Sequence, residues 1–327
     1  MERFVFVAAV TIAVIFGIGA VFGGPNFHFA FDEDGGGTSP IVEVSAGRME
    51  AQAFAGTDLN IKGAAATVVI VPEDRADFLI EIDNSAGRTP MPLVSVDATR
   101  ITIDGQMRGR IGNCGETSVD LRGYGDIPVA ELPRITIRAP RSFDLDRGGA
   151  GTTEIGATES LDLELSGCST ATVGDVAGEL NVDLAGSGRI NAGAVGSLDA
   201  DVAGSGDITV GAVANGANVD VAGSGTVTIA SLTGEFSTDG AGSGSVTVQG
   251  GAITTASIDL AGSGEVSIGA SVATLDVNVV GSGDIDVTGT VGDVDAEIAG
   301  SGNVTVAAVT GTVRKEVWGS GDVQVGR

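Results

Sequence analysis

The sequence predicts an all-β protein. The expected architecture is a right-handed parallel β-helix of about ten 19-residue coils, preceded by a smaller β-strand-rich unit and an N-terminal transmembrane or signal segment. Gly-Ser-Gly triplets return every 18 to 20 residues through the second half of the chain, and a fixed period of this length is typical of a solenoid. Between the triplets apolar and polar residues alternate, which is the period of a strand. The handedness follows the preference of parallel crossovers.

The N-terminal residues predict export. Residues 1–23 have the character of a signal peptide or membrane anchor, because residues 4–22 are an uncharged apolar run preceded by Arg3 and are long enough to span a bilayer. No clean small-residue cleavage site follows, which favours an uncleaved anchor over a cleaved signal. Both alternatives place the rest of the chain outside the cytoplasm. Residues 24–40, with Gly, Pro and clustered acids, predict a linker.

Residues 41–145 predict the β-rich N-terminal part, since short alternating segments are separated by Gly, Pro and Asp. An irregular excursion from about 106 to 133 interrupts these strands and contains Cys114; the other cysteine is Cys168. Disulfides persist in exported proteins, and these two residues lack the spacing of a zinc site. We therefore predict that they pair, the alternative being two free cysteines in turns.

Residues 146–327 predict the β-helix repeats. In one coil Leu198, Ala200 and Val202 precede the triplet at alternate positions, and the strand period turns them to one side. A single coil cannot bury such a face alone, so each inward side chain must stack on its equivalent in the next coil. With only 4% aromatic residues in the chain, the core consists of thin aliphatic layers.

The last coil departs from this pattern at two positions. Lys315 takes an inward, normally apolar position, and Trp318 replaces the alanine that usually precedes the triplet. We interpret this charge and this ring as a cap that blocks further stacking. The alternative is a docking face for a partner.

Composition excludes several functions. The net charge is −26, so the surface repels nucleic acid, and no basic patch with interleaved aromatics is present. The serines of the triplets lack a base to activate them, because the only histidine is His28 in the linker. We therefore expect no enzymatic activity and no catalytic or cofactor-binding residues.

The position three residues before each triplet is acidic in every coil except that of Asn278, and it is predicted to point outward. Like charges repeated at the spacing of neighbouring strands repel each other, so we expect something to compensate them. One hypothesis is a divalent cation such as calcium, bound through carboxylate oxygens; the alternative is a solvated acidic face that keeps the stack soluble. The metal-ligand candidates of the first hypothesis are Asp183, Asp201, Asp220, Asp239 and Asp259.

The segment "LPRITIRAPRSFDLDRGGAGTTEIG" passes into repeated "AGSGD" coils, and together they resemble the GIN domain, the head domain of putative autotransporter adhesins. The resemblance runs from about Val42 to the end of the sequence. It implies a β-helical, exported bacterial protein without an established enzymatic activity.

We therefore expect an exported, non-catalytic structural or adhesion-like module of a bacterial envelope protein. Its location would be periplasmic or at the cell surface, with residues 4–22 as the membrane tether and the only membrane contact. Its partner would be an envelope or extracellular protein or a polysaccharide. The alternatives are a polysaccharide-binding or polysaccharide-cleaving β-helix, since such folds often act on sugars, and a cation-dependent envelope scaffold.

Overall fold

The structure, a computed structural model, describes residues 41–115 and 117–326. The expected signal or anchor segment and the linker therefore lie outside the described residues. The N-terminal strands are β1 Gly47–Phe54, β2 Asp58–Pro72, β3 Phe78–Asn84, β4 Leu93–Asp97, β5 Arg100–Asp104, β6 Ile111–Cys114, β7 Ser118–Leu121, β8 Gly125–Pro128 and β9 Arg134–Ala139. A short 3-10 helix, Val129–Glu131, precedes β9. Within the described residues, no helix is long and apolar enough to cross a membrane.

The remaining strands belong to the repeating coils. They are β10 Ser142–Ile155, β11 Ser160–Gly167, β12 Thr170–Val173, β13 Val176–Gly186, β14 Arg189–Ala192, β15 Val195–Gly204, β16 Asp207–Val213, β17 Ala217–Gly223, β18 Thr226–Gly242, β19 Ser245–Val248, β20 Gly251–Gly262, β21 Glu265–Ile268, β22 Ser271–Gly281, β23 Asp284–Gly300, β24 Asn303–Val309, β25 Val313–Gly319 and β26 Asp322–Val325.

Each coil pairs in parallel with the equivalent part of the next coil. β15 pairs with β17 and β17 with the second half of β18, and in both pairs the first glycines of the triplets face one another. The result is a β-solenoid of about ten turns, which confirms the predicted fold class. Neighbouring coils are separated by the spacing of hydrogen-bonded strands, about 4.8 Å.

The core is a set of aliphatic columns, as predicted. Leu198, Ala200 and Val202 are all buried, and each lies opposite its equivalents in the neighbouring coils. Volumes within a column compensate one another: the buried ring of Phe236 lies between Ala217 and Ala256. Interiors pack at nearly constant density, so a large side chain requires small neighbours above and below it.

The coil stack begins earlier than the repeats suggest. β2 pairs in parallel with β10 on one side and with β5 and β9 on the other. The antiparallel strands β4, β3 and β1 continue the sheet beyond them. The boundary expected between residues 145 and 146 consequently lies inside β10. Residues 58–72 have the same alternation of buried residues as the later coils but no Gly-Ser-Gly triplet. The repeat pattern therefore does not identify them as part of the coil stack.

The two glycines of a triplet serve different purposes. Gly242 has φ +119°, and a Cβ added there would lie 2.5 Å from the carbonyl oxygen of Gly223 in the preceding coil. Gly244 has no positive φ, but its Cβ would meet Cγ1 of Val221 at 2.5 Å. The amide of Ser243 between them donates to Gly223 O at 2.8 Å. The triplet therefore turns the chain without interrupting the hydrogen bonds between coils.

The variant Gly242→Ala should destabilise the protein. Its positive φ alone costs a non-glycine residue of order 1–3 kcal/mol, and the contact with Gly223 O adds to that cost. Chemical denaturation monitored by circular dichroism measures the effect. The matched control is Ser243→Ala in the same triplet, which removes only an exposed hydroxyl and should change stability by less than about 0.5 kcal/mol. Equal stability of the two variants would contradict this account of the corner.

Candidate functional site

Ten residues form one column along the outside of the solenoid, which we call the carboxylate column. Consecutive members face each other in the parallel register of their strands. The column contains all five predicted ligand candidates. Its members are Asp146, Glu164, Asp183, Asp201, Asp220, Asp239, Asp259, Asn278, Glu297 and Glu316.

The column is less solvated than an outward position suggests. Asp201 lies between the buried residues Ala200 and Val202 of its own strand and is itself only partly exposed. Asp183 and Asp220, its neighbours above and below, are also partly exposed. The Oδ1 atoms of Asp201 and Asp220 are covered from solvent and accept no hydrogen bond. Stacked carboxyl groups thus shield one another from water.

This shielding raises the pKa values of the column. Burial, followed by the charges of Asp220, Asp183 and Asp199, raises the pKa of Asp201 to about 8. Burial and the charge of Asp239 raise the pKa of Asp220 to about 6. The pKa values of the other three candidates are also raised, with burial as the main cause: Asp183, Asp239 and Asp259.

A second row of polar residues lies two positions earlier along the same strands. It includes Asp144, Asp162 and Asp199, which face the corresponding residues of the neighbouring coils. Burial and the charge of Asp144 raise the pKa of Asp162 to about 6. In the middle coils the row carries amides and hydroxyls, and Asn218 donates from Nδ2 to Asp199 Oδ1 at 3.0 Å; carboxylates return later in the chain at Asp276 and Asp295. In the first coils, Asp144 and Asp162 accompany Asp146 and Glu164 of the column, so four carboxyl groups lie close together there.

Protonation is one way in which the column reduces its repulsion. At neutral pH a carboxyl group with a pKa near 8 is mostly uncharged, and Asp201 then hydrogen-bonds to the Asp183 carboxylate. Within residues 41–115 and 117–326, no group of three or more His, Cys, Asp or Glu side chains converges as a metal site. Calcium binding to the column therefore stays a hypothesis.

A groove of about 890 Å³ lies on another side of the first coils. One wall is β6 and Gly115, and the floor consists of the corners of four consecutive coils. The residues that line it are Ile111, Gly112, Asn113, Cys114, Gly115, Val129, Gly149, Gly151, Thr152, Gly167, Cys168, Thr170, Gly186, Ser187, Arg189, Gly204 and Ser205. Because most floor positions are Gly, Ser or Thr, the floor is flat and exposes backbone groups and hydroxyls.

A disulfide joins the wall of the groove to its floor. In the structure Cys114 of β6 is bonded to Cys168, with the two Cα atoms 6.0 Å apart. Cys168 takes the place that serine has in later triplets. β6, β7 and β8 form a separate antiparallel sheet, which covers a second apolar cluster. That cluster includes Met107, Leu121 and Ile127, so both covalent and apolar contacts fix the wall.

A buried arginine supports the corner beneath this sheet. Arg147 is only 1% exposed and takes an inward position where the next coil has Leu165. Its guanidinium donates to the carbonyl oxygens of Ala64 at 3.1 Å, Gly148 at 3.0 Å and Ala150 at 2.6 Å. Burial lowers its pKa to about 10. The side chain thus satisfies carbonyl groups of two adjacent coils at a turn without a Gly-Ser-Gly triplet.

The sequence predicted that the residues of the carboxylate column lie in one row, but it predicted neither the groove nor the structural role of Arg147. A signal for Arg147 existed: it falls on the inward positions of the alternation "FDLDRGGAG". The groove had no local signal, because its wall and its floor are distant in sequence. The cysteine pair was the only hint that residues near 114 lie against the coil near 168.

The protein should lose stability as the pH rises from about 4 to about 8. The carboxyl group of Asp201 has a pKa near 3.8 when unfolded and about 8 when folded, so the folded state binds more protons in this window. Asp201→Asn removes this titration. Its stability relative to the parent should therefore increase with pH, by about 1–2 kcal/mol after allowance for solvent screening.

Urea denaturation at several pH values measures this difference. The matched control is Asp276→Asn, the same change at an exposed carboxylate in a later coil. The control should show a much smaller pH-dependent gain. A gain that is equal for both variants would contradict the effect of burial on Asp201.

A search of proteins with curated descriptions finds no match. A solved structure of a "putative lipid binding protein" from Parabacteroides distasonis shares 17% identity over 88% of this chain and 99% of its own, with a TM-score of 0.42. A "putative adhesin" from the same organism shares 16% identity over 86% and 98%, with a TM-score of 0.43. These structural likenesses carry no argument about function.

The family comparison is more extensive. The family described as "Putative auto-transporter adhesin, head GIN domain" matches residues 29–212, 197–291 and 233–326. These matches overlap and together span nearly the whole sequence, including every coil. The protein therefore belongs to the GIN domain family of putative auto-transporter adhesin heads.

Proposed function

We propose that this protein is an exported, non-catalytic adhesion-like module of a bacterial envelope, and that its groove binds an extended polysaccharide or polypeptide. The observation that carries the proposal is the groove itself. It is an open concavity with a disulfide-fixed wall on a rigid stack of coils. Family membership supports the adhesion-like role.

The chemistry of the groove suits an extended ligand. Its floor offers the hydroxyl groups of Thr152, Thr170, Ser187 and Ser205 together with glycine backbone groups. β6 lines the groove and pairs only with β7 among the described residues, so its other edge has backbone groups that no strand of this part of the chain pairs. Such an edge accepts an extended chain through main-chain hydrogen bonds, and hydroxyl groups suit the hydroxyls of a sugar.

Export is supported by the cysteines and by the N-terminal sequence. A disulfide between Cys114 and Cys168 persists in an oxidising compartment and is rare in the cytosol. Residues 4–22 supply an apolar segment able to carry the chain to the membrane and to tether it there. The proposed location is therefore the periplasm or the cell surface.

A non-catalytic role is supported by the residue types in the groove. Its lining contains no carboxylate and no histidine, whereas sugar hydrolysis uses a pair of carboxyl groups. The carboxylate column lies on another face and does not contribute to the lining. Binding without turnover is the function that these residues favour.

The variant Ser205→Arg should weaken ligand binding, because a long charged side chain would fill the floor of the groove. The full chain is tested against an array of bacterial and host polysaccharides and against extracellular matrix proteins. We expect at least one of these probes to bind, and the variant to weaken that binding at least tenfold.

The matched control is Ser282→Arg, the same substitution at the equivalent corner of a coil outside the groove. It should bind as the parent does. The proposal fails if no probe binds, or if both variants bind alike. Fractionation of the source cells tests export separately: recovery of the chain in the cytosol with reduced cysteines would contradict it.

A further inference from the structure

The final coil leaves one side of two strands unpaired. Among the described residues, β25 pairs only with β23, and β26 pairs only with β24. Their other edges carry a row of free backbone donors and acceptors, which is a template for pairing with another strand.

Apolar side chains at this edge are exposed where earlier coils bury them. Val313 is 43% exposed and Val317 is 37% exposed. Their equivalents one coil earlier, Val294 and Ile298, are 3% and 0% exposed. Trp318 adds a ring that is 40% exposed. The end of the core is therefore only partly covered, which leaves apolar surface available for a partner.

The sequence of this edge is complementary to itself. Residues 313–317 read Val-Arg-Lys-Glu-Val, with apolar residues at both ends and opposite charges on either side of Lys315. We propose that the protein dimerises end to end through antiparallel pairing of β25 with β25 of a second copy, centred on Lys315. Each Val313 then lies opposite Val317 of the other copy, and each Arg314 lies opposite Glu316.

The alternation of the strand selects this register. Directly opposed residues of antiparallel strands point to the same face, so the pairing must keep inward residues opposite inward ones. A pairing centred on Arg314 opposes two arginines, and one centred on Glu316 opposes two glutamates. The pairing centred on Lys315 opposes two lysines on the inner face, but of these three registers it alone joins unlike charges on the outer face and sets Val313 opposite Val317 on the inner face.

Charges already present at the edge are consistent with this contact. Arg314 is paired with Asp295 at 3.1 Å and with Glu316 at 3.0 Å, and its side chain is still largely exposed. It can therefore reach the second copy without giving up all of its own partners. Lys315 turns across the core and donates from Nζ to Val323 O at 3.1 Å, which draws its charge away from the two-fold axis.

Such a contact closes on itself. An isologous interface uses the same patch on both copies and ends at a dimer, whereas a head-to-tail contact would build a filament. Lys315 is thus compatible with its interpretation as a cap against further coils, because the second copy arrives in the reverse direction. A dimer would also present two grooves, which strengthens attachment to a repeating ligand.

Light scattering on the full chain in detergent, over a range of concentrations, tests the proposal. The parent should reach the mass of a dimer. Glu316→Arg and Arg314→Glu should each weaken association by about tenfold, since each opposes like charges twice. The double variant Arg314→Glu, Glu316→Arg should restore it, because the exchanged charges are again complementary.

The control is Glu297→Arg, the same change in the same column one coil away from the edge, which should leave the dimer intact. If a charge variant fails to fold, Lys315→Cys supplies a second measurement. The two copies of residue 315 face each other, so mild oxidation should join them, whereas Val313→Cys should not cross-link to itself. A parent that stays monomeric, grows beyond a dimer, or is not restored by the double variant overturns the proposal.

Discussion

Backbone hydrogen bonds between consecutive coils hold equivalent residues directly opposite each other, and this parallel register determines what each position in the repeat becomes. Apolar residues repeated at one position form a column of the core, and glycines repeated at one position form a continuous row of corners. Gly242 and Gly223 show the constraint, because no Cβ fits between one corner and the carbonyl of the preceding corner. The repeated triplet is thus a requirement of close stacking.

The same register concentrates like charges, and the structure responds to them in two ways. In the early coils, burial raises the pKa of Asp201 until it is largely protonated at neutral pH. In the last coil, Arg314 takes the outward position that carboxylates or amides occupy earlier, and pairs with Asp295 and Glu316. Exposed carboxylates therefore keep the protein soluble, whereas crowded carboxyl groups are partly protonated and carry less charge.

The sequence was sufficient to predict the solenoid, because alternation and a fixed period are both local patterns. It also placed the five aspartates in one column. It could not predict their pKa values, since the covering of Asp201 depends on the carboxyl groups of adjacent coils. The sequence did not predict the first coil, because β2 stacks like the later coils but has no Gly-Ser-Gly triplet. The groove and the contact of Arg147 with Ala64 arise between segments far apart in the chain, so no local pattern could reveal them.

Removal of one whole coil tests the dependence on register most directly. Deleting residues 224–242, the 19 residues from one triplet to the next, joins Gly223 to Ser243 and restores a complete Gly-Ser-Gly corner. The shortened chain should keep its β circular dichroism spectrum and unfold cooperatively. Deleting only residues 224–233 breaks the register and should abolish folding. Loss of structure in the whole-coil deletion, or retention of it in the half-coil deletion, would contradict the account.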